Sequence, residues 1–340
     1  LGLAPVGYVT YTTLAGPSIS RGGISPRRAA ASAGGLNSQF DLTNLTLPED
    51  EVRSGGPPKD GIPALTTAAA APHDERVARL HGTHPPQVVP VGEAHSLAAG
   101  DRIVGVTVNG ESRAYPITVL NYHECVNDVL GGVPIAVVYC PLCDSVSIVD
   151  RRLDGRTYEF GISGLLHNSN VLLYDRTDHA LWSQVGLEAV SGPNAGQSLK
   201  HLGGWRITSF GQWKKAHPGS TVLTRDTGHD RRYARDPYAG YFQTDRLMFP
   251  VQPLDDRLPP KAPVIGLAAE GERLAVPVEA IGDTATTITI GQHDVTLRAA
   301  DAGHIEIGEL PDAVRAVHTF WFAWAAFHPE TAIHSAGVED

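Results

Sequence analysis

The chain of 340 residues is long enough for two domains of ordinary size or one large domain. Its 37 acidic residues outnumber its 27 basic residues, and the net charge of −10 argues against broad electrostatic binding to nucleic acid or anionic lipid. No stretch approaches the ~18 consecutive apolar residues of a transmembrane helix. We therefore expect neither a nucleic-acid partner nor a transmembrane segment.

Residues 1–84 are predicted to form an extended arm with little regular structure, because Gly, Ala, Ser, Thr and Pro predominate there. Such an arm could mediate assembly with another chain. The sequence starts at Leu1 without a methionine, and an apolar stretch at 3–14 follows. This start is consistent with a removed export signal, so we expect an extracytoplasmic protein, whether periplasmic, secreted or at the cell surface.

The folded part begins with a predicted β-hairpin, in which apolar alternation at 103–108 and 112–117 flanks the turn residues Asn109-Gly110. A gapless shift of 161 positions repeats this pattern. It pairs Gly105, Gly110, Glu111, Ala114 and Pro116 with Gly266, Gly271, Glu272, Ala275 and Pro277. The sequence therefore predicts an internal repeat of one hairpin unit.

A second echo pairs Trp213 and His217-Pro218 with Trp324 and His328-Pro329, each at the end of a helix-like pattern that proline would stop. We predict an α+β fold, predominantly antiparallel β, with an internal repeat of a hairpin–helix unit. The predicted first half covers 85–261. The second half, 262–340, is expected to be degenerate and mainly structural, with a shortened strand pair at 286–290 and 295–297 around a turn at 291–294.

Three cysteines, Cys125, Cys140 and Cys143, cannot form a disulfide framework because an odd number leaves one thiol unpaired. The Cys140-Pro-Leu-Cys143 motif lies between β-branched runs at 135–139 and 146–149, which places it on a turn between two strands. A thioredoxin-type motif instead starts a helix, whose dipole lowers the thiol pKa. Covalent haem attachment needs histidine where this chain has Asp144.

A Cys-x-x-Cys turn is half of a site for a thiophilic metal, since two thiolates can approach one ion. We predict a copper or zinc site formed by Cys140, Cys143 and His123, with Met248 as a soft ligand and an open position for chemistry. Cys125 is a further thiolate candidate. A local disulfide or a pair of inert buried thiols are the alternatives.

Candidate catalytic groups lie just before the cysteines, where His123 could act as ligand or general base, with Glu124 or Asp128 orienting it. Further along the chain, Asn168, Trp182 and Gln184 are candidates for the wall of a binding pocket. The aromatic, proline-bounded segment 236–250 is predicted to cap the site.

Several ordered motifs give the chain a specific resemblance to a known family. They are Tyr122-His123-Glu124 with Val126-Asn127-Asp128, Tyr139-Cys140-Pro141-Leu142-Cys143, Ser163-Gly164-Leu165-Leu166, Asn168-Ser169-Asn170, Tyr174-Asp175-Arg176, Trp182-Ser183-Gln184 and Asp236-Pro237-Tyr238. Over about 48–330 the chain resembles the bacterial and archaeal family numbered 3179 among domains of unknown function. Members of that family often look exported or membrane-anchored, which favours an extracytoplasmic location.

The resemblance implies nine candidate functional positions: His123, Glu124, Asn127, Asp128, Cys140, Cys143, Asn168, Trp182 and Gln184. Relatives more often have an aliphatic residue at the position of Cys125 and an aromatic residue at the position of His167. The resemblance therefore implies that Cys125 and His167 are individual features of this chain, and it transfers no activity.

The preferred interpretation is an extracytoplasmic metalloprotein acting on a small-molecule substrate, with redox chemistry if the metal is copper and hydrolysis if it is zinc. One alternative is a non-catalytic module that binds a ligand or a larger assembly and has a structural Cys140–Cys143 disulfide. The other is a thiol–disulfide oxidoreductase, which requires an accessible thiolate near neutral pH. Whether the chain is an enzyme is left open at this point.

Overall fold

The computed structural model describes residues 39–70, 82–300 and 304–335. This part of the chain is rich in β-strands, mostly antiparallel, as the sequence predicts. Within it, no helix has the length and apolar character needed to cross a bilayer. The predicted export segment at 3–14 lies outside the described residues.

The strands and helices are short, as the many turn residues suggest. Up to residue 261 the strands are β1 (Arg53–Ser54), β2 (Leu65–Thr66), β3 (Val88–Pro90), β4 (Arg102–Val108), β5 (Glu111–Pro116), β6 (Cys125–Leu130), β7 (Val133–Cys140), β8 (Ser145–Asp150), β9 (Arg152–Leu153), β10 (Arg156–Thr157), β11 (Phe160–His167), β12 (Asn170–Asp175), β13 (Leu181–Ser183), β14 (Glu188–Ala189), β15 (Trp205–Ser209) and β16 (Thr221–Leu223). The later strands are β17 (Pro263–Ala269), β18 (Glu272–Pro277), β19 (Thr286–Ile290), β20 (His293–Ala300), β21 (His304–Ile307), β22 (Arg315–Phe320) and β23 (Ala332–Ile333). The α-helices are α1 (Ile117–His123), α2 (Phe210–Ala216), α3 (Ala239–Phe242) and α4 (Trp321–Phe327), and 3-10 turns occur at Glu49–Glu51, Ala68–Ala70, Val91–Glu93 and Val278–Ala280.

Two eight-stranded sheets form most of the fold, and a smaller five-stranded sheet packs beside them. The strand orders are β19-β20-β21-β15-β4-β5-β16-β3 in the first sheet, β2-β6-β7-β8-β22-β17-β18-β23 in the second and β1-β11-β12-β13-β14 in the third. The described part of the predicted arm contributes β1 and β2 as edge strands. It therefore lies along the folded body, where Leu65, Ala64 and Val52 join the buried apolar cores.

Each large sheet contains strands from both predicted halves. In the first sheet β15 pairs with β21, and in the second sheet β22 pairs with β8. The three-strand segment β6–β8 thus extends the sheet of the β17–β18 hairpin, while β19–β21 extends the sheet of the β4–β5 hairpin. Each half completes the other's sheet.

The two hairpin–helix units share their local packing. Gly105 is opposite Ala114 in one hairpin, and Gly266 is opposite Ala275 in the other. A Cβ atom at Gly105 would lie 2.2 Å from the Trp213 ring, and one at Gly266 would lie 2.2 Å from the Trp324 ring. Only glycine lets these two indoles approach so closely. A common origin of the two units stays a prediction.

The second half departs from the sequence interpretation in one element. The predicted turn at 291–294 is too long, because β20 already starts at His293 and runs to Ala300. Asp294 therefore pairs with Thr289 inside the ladder. The Gly291-Gln292 pair alone closes this hairpin, in keeping with the positive φ of 56° at Gly291.

Strands β7 and β8 lie between two apolar cores. Along β7, Val137 and Tyr139 face the core between the two large sheets, whereas Val138 and Cys140 face the five-stranded sheet. This alternation is the period of two that a strand imposes on its side chains. It puts the first cysteine of the motif into the second core, beneath β11 and β12.

Candidate functional site

The two cysteines of the motif lie at a tight turn between strands, as the sequence predicts. Cys140 ends β7, residues 141–144 form the turn, and β8 starts at Ser145. Both cysteines are free thiols, with exposed fractions of 1% for Cys140 and 0% for Cys143. The site is therefore an internal pair of thiols that solvent does not reach.

A second turn places a backbone carbonyl over the sulfurs. Asn168 and Ser169 connect β11 to β12 with positive φ angles of 46° and 64°, the backbone geometry of a tight two-residue hairpin. The thiol of Cys143 donates to the Ser169 carbonyl oxygen at 3.3 Å, and Cys140 Sγ lies 4.0 Å from the same oxygen. Both sulfurs thus converge on one carbonyl group.

The environment makes the two thiols unequal. Burial by itself raises the pKa of Cys140, but its interactions with the Cys143 thiol and with the amides of Val171, Leu142 and Cys143 lower it below the ordinary value. The pKa of Cys143 is raised well above its usual range by burial and by the neighbouring Cys140 sulfur. Cys140 is therefore the more acidic thiol of the pair.

Glu124 is a buried carboxyl group that interacts electrostatically with Cys140. It caps α1 in the left-handed region, with φ of 57°, and its backbone carbonyl accepts a hydrogen bond from the Tyr139 amide at 2.7 Å. The side chain is buried, and burial together with the nearby Cys140 charge raises the Glu124 pKa well above its ordinary value. A carboxyl group that holds its proton to higher pH than an exposed glutamate therefore lies near the more acidic thiol.

The segment 236–252, here called the cap, covers the site from the solvent side, as the sequence predicts for 236–250. Tyr241 donates its hydroxyl proton to the Leu142 carbonyl, inside the Cys-x-x-Cys turn, at 2.8 Å. The pKa of Tyr238 is raised by burial and by the charges of Glu124 and Cys140. Apolar cap side chains pack on the same core as the cysteines.

Asp144 anchors the far end of the turn, a role that sequence reasoning missed. Its carboxylate accepts two hydrogen bonds from Arg102, at 2.7 and 2.8 Å, and one from Tyr139 at 3.0 Å. Its carbonyl oxygen lies 2.8 Å from His318 Nδ1 on β22. The amide of Phe320 donates to the Cys143 carbonyl at 2.8 Å. The second half thus helps to hold the turn in place.

His123, the predicted ligand and base, has partners of its own. Its Nδ1 lies 2.7 Å from the Pro63 carbonyl oxygen, and its Nε2 lies 2.6 Å from the Tyr233 hydroxyl. Burial lowers the His123 pKa to about 3, so the ring is neutral and ties the arm to the loop around Tyr233. Although it is adjacent to Glu124 in sequence, its ring nitrogens are engaged away from the sulfurs.

Asp128, the other predicted acid–base residue, belongs to a separate buried network on β6. Its carboxylate accepts hydrogen bonds from Arg113 at 2.6 Å, Tyr115 at 2.7 Å and Thr67 at 2.6 Å. All of these partners are protein groups that join β5 and the arm to β6. Asn127 similarly donates to the Phe160 carbonyl at 2.9 Å and ties β6 to the third sheet.

Of the three predicted pocket residues, Trp182 and Gln184 line one small cavity beside the site, whereas Asn168 does not. Gln184 accepts hydrogen bonds from Asn170 at 3.0 Å and Ser145 at 2.7 Å, next to the thiol turn. Trp182 donates to Asp175 at 2.9 Å and shares the apolar core of the cysteines. Asn168 accepts from the Gln252 amide at 3.0 Å, at the end of the cap.

The described residues do not assemble the predicted set of metal ligands. Within the described ranges, no three His, Cys, Asp or Glu side chains are grouped so that they could hold a metal ion. The His123 nitrogens are engaged elsewhere, and Met248 has 52% of its surface exposed. The donor set of Cys140, Cys143, His123 and Met248 therefore does not fit a closed copper or zinc site in this arrangement.

Comparison with known proteins identifies the family but not an activity. A family model described as a protein of unknown function, DUF3179, matches residues 59–310. The chain belongs to this family. The matched region contains Glu124, both site cysteines, the Ser169 turn and the cap. No curated protein and no solved structure matches the chain.

Proposed function

We propose that the chain is a thiol-based redox protein in which Cys140 and Cys143 interconvert between dithiol and disulfide. The observation that carries the proposal is the convergence of two free, buried sulfurs at one turn on the Ser169 carbonyl oxygen, 3.3 Å from Cys143 Sγ and 4.0 Å from Cys140 Sγ. The two thiols differ in the way that exchange requires, since one is the nucleophile and the other retains its proton until the second step. This is the oxidoreductase alternative of the sequence analysis.

The proposed reaction is exchange with a substrate disulfide. The Cys140 thiolate attacks one substrate sulfur, a mixed disulfide forms, and the substrate S–S bond breaks to release a thiolate. Glu124 donates its proton to that leaving sulfur. Cys143 then transfers its proton to the Glu124 carboxylate and attacks the Cys140 sulfur. The mixed disulfide breaks, and the second substrate sulfur leaves as a thiolate that takes up a proton from solvent. The dithiol is oxidised, and one disulfide is reduced to two thiols.

Glu124 suits these proton transfers better than His123 does. A group that alternately gives and accepts a proton near neutral pH needs a raised carboxyl pKa, which burial provides at Glu124. His123, with its pKa lowered to about 3 and both nitrogens engaged, has no proton to give at neutral pH. We therefore assign proton transfer to Glu124 and a positioning role to His123.

The test is redox titration of the full chain in dithiothreitol buffers of graded potential. We expect one reversible two-electron transition, with mass spectrometry locating the disulfide between Cys140 and Cys143. Cys140→Ser and Cys143→Ser should each abolish it, whereas Cys125→Ser, a matched change at another buried thiol, should leave it intact. Absence of a Cys140–Cys143 disulfide at any potential would refute the proposal.

Two converging sulfurs are also donors for a thiophilic metal, without His123 or Met248, so metal binding is the second candidate function. Elemental analysis of the reduced protein, beside Cys140→Ser, tests it directly. Stoichiometric copper or zinc that disappears in the variant would favour the metal site. An extracytoplasmic location, with a substrate that contains a disulfide, fits the redox proposal because disulfides form and persist in oxidising compartments.

A further inference from the structure

The thiol pair is sealed, although exchange requires contact with a second molecule. The two site cysteines have at most 1% of their surface exposed, and the cap lies above them. A sulfur attacked in exchange must be approached by another sulfur. Some element therefore has to move before Cys140 can react.

The cap is hydrogen-bonded to each segment that builds the site. Asn121, on the helix that precedes Glu124, donates to Asp236 at 3.2 Å. Tyr241 donates to the Leu142 carbonyl within the cysteine turn. At the other end, the Gln252 amide donates to Asn168, beside the Ser169 carbonyl over the sulfurs. Displacing the cap would thus uncover all three segments together.

Little of the cap is regular secondary structure, so few backbone hydrogen bonds attach it to the rest of the chain. It contains one four-residue helix, α3, and the remainder is irregular. Lys261 fastens it from outside, since its ammonium group donates to the Tyr241 carbonyl at 2.6 Å and to the Thr244 carbonyl, and lies 3.4 Å from the centre of the Tyr241 ring. Segments with few backbone hydrogen bonds open locally at low cost. Tyr241 is held at both its hydroxyl and its carbonyl, so it is the central fastening of the cap.

We propose that the cap is a gate and that Tyr241 determines access to Cys140, so that a partner reaches the thiols only when the Tyr241–Leu142 hydrogen bond opens. The inference rests on the proposed function, because the purpose assigned to the gate is the control of thiol exchange. The accessibility of the Cys140 sulfur is itself a property of the fold. It can be measured with a reagent that needs no redox chemistry.

The experiment follows alkylation of each cysteine in the native full chain by iodoacetamide, with mass spectrometry assigning the modified residue. Tyr241→Phe keeps the ring and removes one hydrogen bond, so Cys140 should be alkylated about fivefold faster. The midpoint of the pH dependence of this alkylation rate should not change. Cys125 is the internal reference for general opening, because it is fully buried in β6 and shares the apolar core of the site cysteines, so that loosening of the whole core would expose it too. Its rate should not change.

Tyr158→Phe is the matched control, because Tyr158 is also buried and its hydroxyl accepts one hydrogen bond from Asn194, away from the cap. It should leave the Cys140 rate at the wild-type value. Lys261→Met is a second variant that loosens the cap without altering Tyr241, and it should again speed Cys140 alone.

Unchanged Cys140 rates in both gate variants would overturn the proposal, as would equal acceleration of Cys125, which would indicate general loss of stability. A shift of the pH midpoint would mean that Tyr241 acts on the thiolate rather than on access. Failure of the redox proposal has a different outcome, since it would show as a missing disulfide in the titration while gated alkylation persisted.

Discussion

Two adjacent residues at the end of α1 have different interaction partners. His123 is the last helical residue and binds Pro63 and Tyr233, whereas Glu124 adopts a positive φ and lies beside Cys140. Sequence proximity to the cysteines made both residues candidates. It could not show which one turns toward the sulfurs, because that depends on a single left-handed residue after the helix.

Replacing Glu124 should change how stability depends on pH. The pKa of Glu124 in the folded state is raised above the ordinary 4.5, so above that pH the unfolded chain releases a proton that the folded chain retains. The free energy of unfolding therefore falls as pH rises. We expect the free energy of unfolding of wild type to fall more steeply than that of Glu124→Gln as pH rises from about 5 to about 7, measured by urea unfolding. Parallel curves would contradict the assignment.

His123 should act in the opposite direction. Its folded-state pKa is lowered to about 3 from 6.5, so below pH 6.5 the unfolded chain takes up a proton that the folded chain does not. The contribution of His123 to the free energy of unfolding is fully present above pH 6.5 and is lost as pH falls. Relative to His123→Gln, wild type should lose about 2 kcal/mol between about pH 6.5 and about pH 5. The exposed His95, changed to Gln, is the matched control, and an equal effect there would exclude His123 as the cause.

Local elements were predictable because their determinants are local. The Asn109-Gly110 turn, with φ of 48° and 82°, and the alternation beside it specify the β4–β5 hairpin, and the cysteine turn follows from two β-branched runs. Non-local pairing was not predictable. Nothing in the spacing of β8 or β15 indicates that their neighbours are β22 and β21, since such ladders join residues more than 100 positions apart.

The two hairpin–helix units predict matched sensitivity to one added methyl group. Ala at Gly105 or at Gly266 would place Cβ 2.2 Å from an indole ring, and relieving that overlap should cost about 1–3 kcal/mol in each case. Gly92→Ala is the control, because nothing lies within 4 Å of the added atom. Urea unfolding measures all three variants. Tolerance at only one of the two sites would argue that the units pack differently.

Across the whole molecule, neither half has a complete sheet of its own. In the described part, β19–β21 are joined to the first half through β15, and β22 lies between β8 and β17. A fragment of residues 262–340 would leave these edges and their apolar faces uncovered. We expect it to lack a cooperative thermal transition by circular dichroism when expressed alone. A sharp transition in the isolated fragment would mean that it folds independently.

The second half, predicted from the sequence to be mainly structural, contacts the thiol turn directly. His318 and Phe320 on β22 hydrogen-bond to the Asp144 and Cys143 carbonyls, and the Phe320 ring also packs edge-on against Phe242 of the cap. A strand from the second half thus supports the turn that holds both sulfurs. One support, the Phe320 amide, belongs to the backbone and would survive a change of side chain there, whereas the other, the His318 ring, would be lost with its residue.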